Sequence, residues 1–194
     1  MSKNPTLNNG AIDFESVFKQ LNDELSKIEQ SLKLICAGGY VMQLHGYKTT
    51  SDVDAFYKSN MEIDAVIRKV GDEFGINKPD EIWLNGSISR MNPEPPGKYF
   101  KLVYSFTNLE VHAVEINYVV GMKLVSSREQ DFIDIGDILR HDNNEQPFTL
   151  LSELADMGFN VDISNLLDGF ERAHGMTWLD EFYANNQEEL RKYF

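Results

Sequence analysis

Two aspartates one residue apart have the residue type and spacing to bind a metal ion. Asp52 and Asp54 flank Val53 in a short run that predicts a strand. Because successive side chains of a strand point to opposite faces, both carboxylates are expected on the same face. Carboxylates this close repel each other unless a cation lies between them. Mg²⁺ (or Mn²⁺) suits such a place, since it prefers carboxylate oxygens and completes its shell with water and phosphate oxygens.

A pair of glycines lies 12 residues before the two aspartates. Gly38 and Gly39 follow the apolar run Leu34–Ala37, which predicts a buried strand, and they precede a predicted short helix. A backbone without side chains lets a phosphate approach closely, and the amides and dipole at a helix start favour an anion. Alone, a glycine pair is often only a tight turn, and two nearby aspartates are often only solvated. Together they predict a site for a nucleoside triphosphate and its metal ion.

The elements that must position these residues alternate between helices and strands. Apolar residues spaced by three and four from Ile12 to Leu32 predict an amphipathic helix. Asn60 and Gly75 are suited to begin and end a helix over Met61–Phe74. Strands are predicted at 52–57, 99–106 and 109–114, a short helix around 83–88, and helices at about 115–128, 131–140, 148–157, 164–173 and 177–192. The expected fold class is α+β (mixed α/β), with a small mixed sheet and flanking helices followed by a helical C-terminal part.

The charge is unevenly distributed along the chain, whose formal net charge is −13. Residues 1–128 contain 14 Lys or Arg and 16 Asp or Glu, whereas residues 129–194 contain 4 and 15. We therefore expect an α/β domain over 1–128 and an acidic helical region over 129–194. Such an acidic region repels phosphate backbones, which argues against nonspecific nucleic-acid binding there. It is either a solvated helical surface or a docking face for a basic protein partner.

Several classes of protein are disfavoured by composition. No apolar run approaches the roughly 18 residues that a membrane span needs, so no membrane partner is expected. The polar segment Met1–Pro5 lacks the apolar stretch of a secretory signal. The single cysteine, Cys36, forms no internal disulfide and excludes a cysteine-rich zinc site. A cytoplasmic location is expected.

Two stretches of the chain resemble a known family. The glycine pair followed by Asp52-Val53-Asp54 resembles the signature of the nucleotidyltransferase-fold superfamily. More narrowly, residues 37–54 are similar to AbiEii-type toxins and related uncharacterised bacterial proteins, in which Arg-x-Thr-x-Asp-hydrophobic-Asp is typical. Lys48 stands where arginine is usual, which keeps the charge but loses the bidentate fork. Residues 121–134 resemble that group's helix with a lysine, a following arginine and a pair of aspartates.

The resemblance implies transfer of a nucleotidyl group from a nucleoside triphosphate to a hydroxyl of RNA, protein or a small molecule. The resemblance also implies that pyrophosphate is released and that the protein acts in a toxin–antitoxin or phage-defence system. By the same resemblance, Asp52 and Asp54 bind Mg²⁺, and Gly38 and Gly39 hold the β- and γ-phosphates. The other residues that it implies on the nucleotide side are Lys48, Thr50, Ser51, Lys123 and Arg128.

Three alternatives stay open at the level of sequence. Members of the superfamily usually supply a third carboxylate as general base, and Glu110 on the 109–114 strand is the best candidate, unless it is only an exposed strand residue. Lys123 and Arg128 either face the phosphates or form a salt-bridge network with Asp131 and Asp134. The whole protein is either an enzyme or a degenerate member that binds nucleotide or a protein partner without turnover.

Overall fold

The computed structural model describes residues 6–7 and 10–194, except for the side chain of Met91. The chain divides into two compact units, residues 1–115 and 116–194. This division after residue 115 comes earlier in the chain than the predicted one after residue 128, because the helix that follows residue 115 belongs to the second unit. The polar segment at residues 1–5 lies outside the described residues. None of the described helices has the length and apolar character needed to cross a membrane.

The first unit is a mixed sheet with helices, which confirms the expected fold class. Its five strands have the order β3-β2-β1-β5-β4. The central strand β1 is antiparallel to β2 and parallel to β5, and β4 and β5 form an antiparallel hairpin, as predicted for them. In chain order the elements are α1 (Phe14–Lys27), β1 (Leu32–Ala37), α2 (Gly38–Leu44), β2 (Val53–Phe56), α3 (Met61–Phe74), β3 (Leu84–Asn85), α4 (Ile88–Met91), β4 (Phe100–Ser105) and β5 (Leu109–Val114).

Helices α1 and α3 cover one face of the sheet with their apolar sides. The indole of Trp83 lies in the same core and donates from Nε1 to the carbonyl oxygen of Ile67 at 2.9 Å. Because side chains alternate along a strand, Cys36 and Val53 face this core while Asp54 points to the other face. The buried core includes Phe14, Phe18, Leu21, Leu25, Leu34, Cys36, Val53, Ala55, Ile63, Val66, Val70 and Val111.

The bounds and caps predicted for α3 are confirmed. The Asn60 side chain accepts hydrogen bonds from the backbone N–H groups of Glu62 and Ile63, at 3.0 and 2.9 Å. Gly75 ends the helix with a φ of 68°, in the left-handed region that glycine adopts readily. These are local interactions, which is why the sequence alone predicts them.

Two element predictions in the first unit are wrong. The short helix predicted around residues 83–88 is instead strand β3, which pairs Leu84 with Val53, and α4 begins only at Ile88. The sheet pairing overrides the local preference of this segment. The apolar spacing that predicted one helix up to Leu32 also fails, because the helix ends at Lys27 and Leu32 begins β1.

A buried carboxylate with two exposed lysine partners joins α1 to α3. Glu24 is only 5% exposed, and its carboxylate accepts hydrogen bonds from Lys27 Nζ and Lys69 Nζ, each at 2.6 Å. Since Lys69 belongs to α3, the carboxylate joins the two helices. The hydrogen bonds from Lys27 and Lys69 hold the pKa of Glu24 below its ordinary value.

The second unit is helical, as expected of the C-terminal part. Helices α6 and α8 approach closely at Gly169. A Cβ on this residue would lie only 2.5 Å from Ile135 Cγ2, so the absence of a side chain permits the contact. The single helix predicted over 177–192 is interrupted at Asn186, whose amide donates to the carbonyl oxygen of Phe182. The helices are α5 (Ile116–Ser126), α6 (Glu129–His141), α7 (Pro147–Asp156), α8 (Ile163–His174), α9 (Met176–Asn185) and α10 (Gln187–Leu190).

Candidate functional site

The glycine turn and the second aspartate lie side by side at one end of β1. The sheet register pairs Ala37, the last residue of β1, with Asp54 on β2. Gly38 follows with a φ of +60°, a conformation that favours glycine. A Cβ built on Gly38 would lie 3.1 Å from Asp54 Oδ2, so this carboxylate oxygen is directed at the turn. The structure therefore brings together the two halves of the predicted site.

The second glycine connects the turn to the first aspartate. A Cβ on Gly39 would lie 2.8 Å from Thr50 Oγ1, closer than real Cβ contacts allow. That hydroxyl donates to Asp52 Oδ1 at 3.0 Å and also lies 3.2 Å from the Asp52 carbonyl oxygen. Gly39, Thr50 and Asp52 thus form one continuous set of contacts. The carboxylates of Asp52 and Asp54 are both half-buried.

The side chain of Gln43 holds the loop between α2 and β2 in place. Its Oε1 accepts a hydrogen bond from the backbone N–H of Thr50 at 2.9 Å, and its Nε2 donates to the carbonyl oxygen of Ile12, also at 2.9 Å. Two other predicted residues belong to this loop. Lys48 is half-buried and Ser51 is exposed.

Asn85 is a member of the site that the sequence reasoning missed. The register of β3 pairs it with Asp54, and its Nδ2 donates to Asp54 Oδ1 at 2.9 Å. The segment was predicted as a short helix, so no neighbour in a sheet was expected for Asp54 on this side. The signal in the sequence is weak: a lone asparagine stands between an apolar Trp-Leu pair and a glycine.

The structure does not bring Glu110 to the aspartates, which corrects its prediction as third carboxylate. Glu110 is paired with Lys33 near the start of β1, whereas Asp54 is paired with Ala37 at the end of it. Four residues of extended strand separate these positions, or about 13 Å along the strand. Glu110 instead lies 3.2 Å from His112 Nε2. Glu115, the next carboxylate along the chain, forms an ion pair with Lys101 at 3.2 Å.

Lys123 and Arg128 lie in the second unit and form the predicted salt-bridge network. Lys123 Nζ lies 3.1 Å from Asp131 Oδ1 and 2.5 Å from Asp134 Oδ2, and all three side chains are largely buried. Arg128 Nε donates to Asp131 Oδ2 at 2.8 Å. Burial acts to raise the pKa of Asp131, but the hydrogen bond from Arg128 and the charge of Lys123 outweigh it and lower the pKa to about 2.

The donor set at the glycine turn fits Mg²⁺. Asp52 and Asp54 offer hard oxygen atoms beside a backbone that a phosphate can approach. Within residues 6–7 and 10–194, no group of three or more His, Cys, Asp or Glu side chains is placed to hold a metal ion. A cation here would therefore depend on two carboxylates, with water and substrate oxygens completing its shell, which is the usual arrangement for Mg²⁺.

A known protein family matches most of the chain. Residues 13–155 match the family described as nucleotidyltransferase of unknown function (DUF6036). The matched range includes the glycine turn, both aspartates and the Lys123 network. No curated protein and no solved structure gives a match. The narrower likeness to AbiEii-type toxins stays a prediction. Because the match covers most of the chain, the protein belongs to this family of nucleotidyltransferases of unknown function.

Proposed function

We propose that the protein is a Mg²⁺-dependent nucleotidyltransferase that moves a nucleoside monophosphate group from a nucleoside triphosphate to a hydroxyl acceptor. The observation that supports this most directly is the contact between the glycine turn and Asp54, whose Oδ2 would lie 3.1 Å from a Cβ on Gly38. A bare backbone for phosphate and a carboxylate for its metal ion are adjacent. Family membership supports the class of reaction.

Each residue at the turn has a definable part in binding. Gly38 and Gly39 expose only backbone, so the triphosphate can approach their amides. Asp52 and Asp54 would hold Mg²⁺, which when bound neutralises phosphate charge and polarises the phosphoryl oxygens. The Thr50 hydroxyl holds Asp52 through its hydrogen bond, which keeps that carboxylate beside the turn.

The direct test is transfer of radiolabel from each of the four nucleoside triphosphates to total RNA or lysate protein in the presence of Mg²⁺. Label transfer by the wild type that is lost in Asp54→Ala supports the proposal. Asp23→Ala is the matched control, because Asp23 is an exposed aspartate of the same unit on α1, which covers the face of the sheet opposite to Asp54. Transfer that persists in Asp54→Ala would contradict the role given to this carboxylate.

A second candidate is nucleotide binding without turnover. The position of Glu110 favours it, because the carboxylate proposed as general base lies at the far end of the sheet from Asp54. This candidate predicts that nucleotide with Mg²⁺ raises the melting temperature in an Asp54-dependent way. It also predicts that no label is transferred to any acceptor.

A protein partner remains a further proposal for the acidic second unit. Residues 116–194 contain 6 Lys or Arg and 15 Asp or Glu. On α9, Met176 and Tyr183 are exposed with Asp180 between them at helical spacing, which suits a basic segment with apolar side chains. The likeness to AbiEii-type toxins would make that partner an antitoxin. Binding of an arginine-rich peptide that weakens in Asp180→Asn and in high salt tests this surface.

A further inference from the structure

We propose that Asn85 is a positioning residue for the Asp54 carboxylate, and that divalent cation binding at the glycine turn depends on it. The inference rests on the proposed function, because it assumes that Asp54 is a metal ligand. It concerns a residue that neither the sequence pattern nor the family match assigns.

The sheet places Asn85 where it can act on Asp54. The two residues are paired in the register between β2 and β3, so their side chains share a face. Asn85 Nδ2 donates to Asp54 Oδ1 at 2.9 Å. The other end of the amide is also engaged, since Asn85 Oδ1 accepts from the backbone N–H of Ser87 at 2.8 Å. The Ser87 contact determines that the NH₂ group, and not the oxygen, faces the carboxylate.

The consequence is a carboxylate whose two oxygens have different surroundings. Oδ1 is held by Asn85, while Oδ2 is directed at Gly38. The amide restrains rotation of the carboxylate about its side-chain bonds, which reduces the entropy that is lost when a cation binds. An amide is a neutral donor, so it orients Asp54 without cancelling the charge that attracts Mg²⁺. Hydrogen bonds that orient a ligand in this way typically contribute 10–100-fold to metal affinity.

The test measures Mn²⁺ binding to the full chain by electron paramagnetic resonance, with and without a non-hydrolysable triphosphate. We expect Asn85→Ala to weaken Mn²⁺ binding about 10-fold. Asn117→Ala is the matched control, because Asn117 donates the same kind of bond to the Glu153 carboxylate, at 2.8 Å, in the second unit. We expect that variant to bind Mn²⁺ as the wild type does.

A second measurement separates positioning from simple support of β3. Asn85→Ala removes the donor without adding a charge or a new metal ligand. We expect the melting temperature of this variant to rise less than that of the wild type when Mn²⁺ is added, because weaker binding gives a smaller shift. A residue that only supports the strand would lower the melting temperature without Mn²⁺ and leave the Mn²⁺-induced shift unchanged.

The outcomes distinguish this inference from the proposed function. If the wild type binds no Mn²⁺, both fail. If the wild type binds Mn²⁺ and Asp54→Ala does not, while Asn85→Ala binds it as tightly as wild type, only the role of Asn85 is refuted. A Mn²⁺-induced shift in Asn85→Ala that equals the wild-type shift would refute it as well.

Discussion

Replacing Lys123 by methionine discriminates between the two roles open to this lysine. As a phosphate ligand, Lys123 could be lost with little effect on stability. The structure shows it instead as the shared partner of two carboxylates, at 3.1 Å from Asp131 and 2.5 Å from Asp134. Its side chain is 11% exposed and theirs are 2% and 3% exposed. We therefore expect Lys123→Met to destabilise the second unit.

The size of the effect follows from what the substitution leaves behind. Removing one partner of a buried ion pair typically costs about 3–5 kcal/mol, because a charge stays buried without compensation. Arg128 still donates to Asp131 and Gln130 Nε2 still donates to Asp134 Oδ1 in the variant, so each carboxylate keeps a donor and loses the lysine charge. We expect the lower end of the range, about 3 kcal/mol. For a unit of this size, that would lower the urea midpoint by about 2 M.

The effect of Lys123→Met should depend on pH. In the wild type the pKa of Asp131 is lowered from 3.8 to about 2, so its contribution to stability is present above pH 3.8 and is lost as the pH falls through 2. In the variant Asp131 takes up a proton at higher pH than in the wild type, because the lysine charge no longer favours its ionised form. We therefore expect the difference between variant and wild type to be largest at pH 7 and to narrow towards pH 3.

The assay can follow the second unit by itself. Each unit contains one tryptophan, Trp83 in the first and Trp178 in the second. Fluorine NMR of fluorotryptophan-labelled protein therefore reports the urea unfolding of each unit separately, and Trp178→Phe assigns the two signals. Lys192→Met is the matched control, because Lys192 pairs with Glu189 on the exposed surface of the same unit. Such a surface pair contributes about 0–1 kcal/mol.

Two results would refute this reasoning. One is a Trp178 transition in Lys123→Met that coincides with that of Lys192→Met at pH 7. The other is a large loss of stability that stays constant between pH 7 and pH 3, since the cost is attributed to ionised carboxylates. If nucleotide affinity alone were lost, the lysine would be a phosphate ligand and the buried network would contribute little.

Three further substitutions test separate parts of the first unit. Tyr40→Phe should raise the free energy of unfolding by up to about 1 kcal/mol in calorimetry, because the Tyr40 hydroxyl is buried without a hydrogen-bond partner in the described part of the chain. Glu24→Gln should lower stability at pH 7, and the difference from wild type should vanish as the pH falls through the lowered pKa that its two lysine partners give Glu24. Gly39→Ala should weaken binding of a triphosphate with Mg²⁺ at least about 10-fold by calorimetric titration, because the new Cβ would lie 2.8 Å from Thr50 Oγ1 and displace it. Gly97→Ala, whose Cβ would meet nothing within 4 Å, should leave that affinity unchanged.

The sequence predicts best the features that depend on neighbouring residues. The helix over Met61–Phe74 was predicted to the residue, because Asn60 and Gly75 act on the backbone next to them. The proximity of Gly38 and Asp54 was also predicted, since two short strands joined by a short helix and a loop have few ways to pair.

The features that failed depend on pairing between distant segments. Glu110 was assigned correctly to a strand, yet its position along the sheet is set by the parallel register between β1 and β5, which no local pattern encodes. Asn85 was missed because β3 has only two residues, too few for an alternating pattern, and exists through its pairing with β2. The sequence therefore predicted the part of the site that lies between β1 and β2. It did not predict the part that other strands contribute.

The residues between β1 and β2 and those on other strands would also serve different steps, nucleotide binding and turnover. In the proposed function, the segment from β1 through α2 to β2 supplies Asp52, Asp54 and the glycine backbone, which would hold one cation and the phosphates that share it. Turnover further requires a group that takes the proton of the acceptor hydroxyl, and the register places Glu110 about 13 Å along the strand from Asp54. If label transfer is observed, its rate should therefore be unchanged in Glu110→Gln and strongly reduced in Asp54→Asn. A Glu110→Gln variant that binds nucleotide normally but has lost transfer would show that the strands pair differently in the working protein.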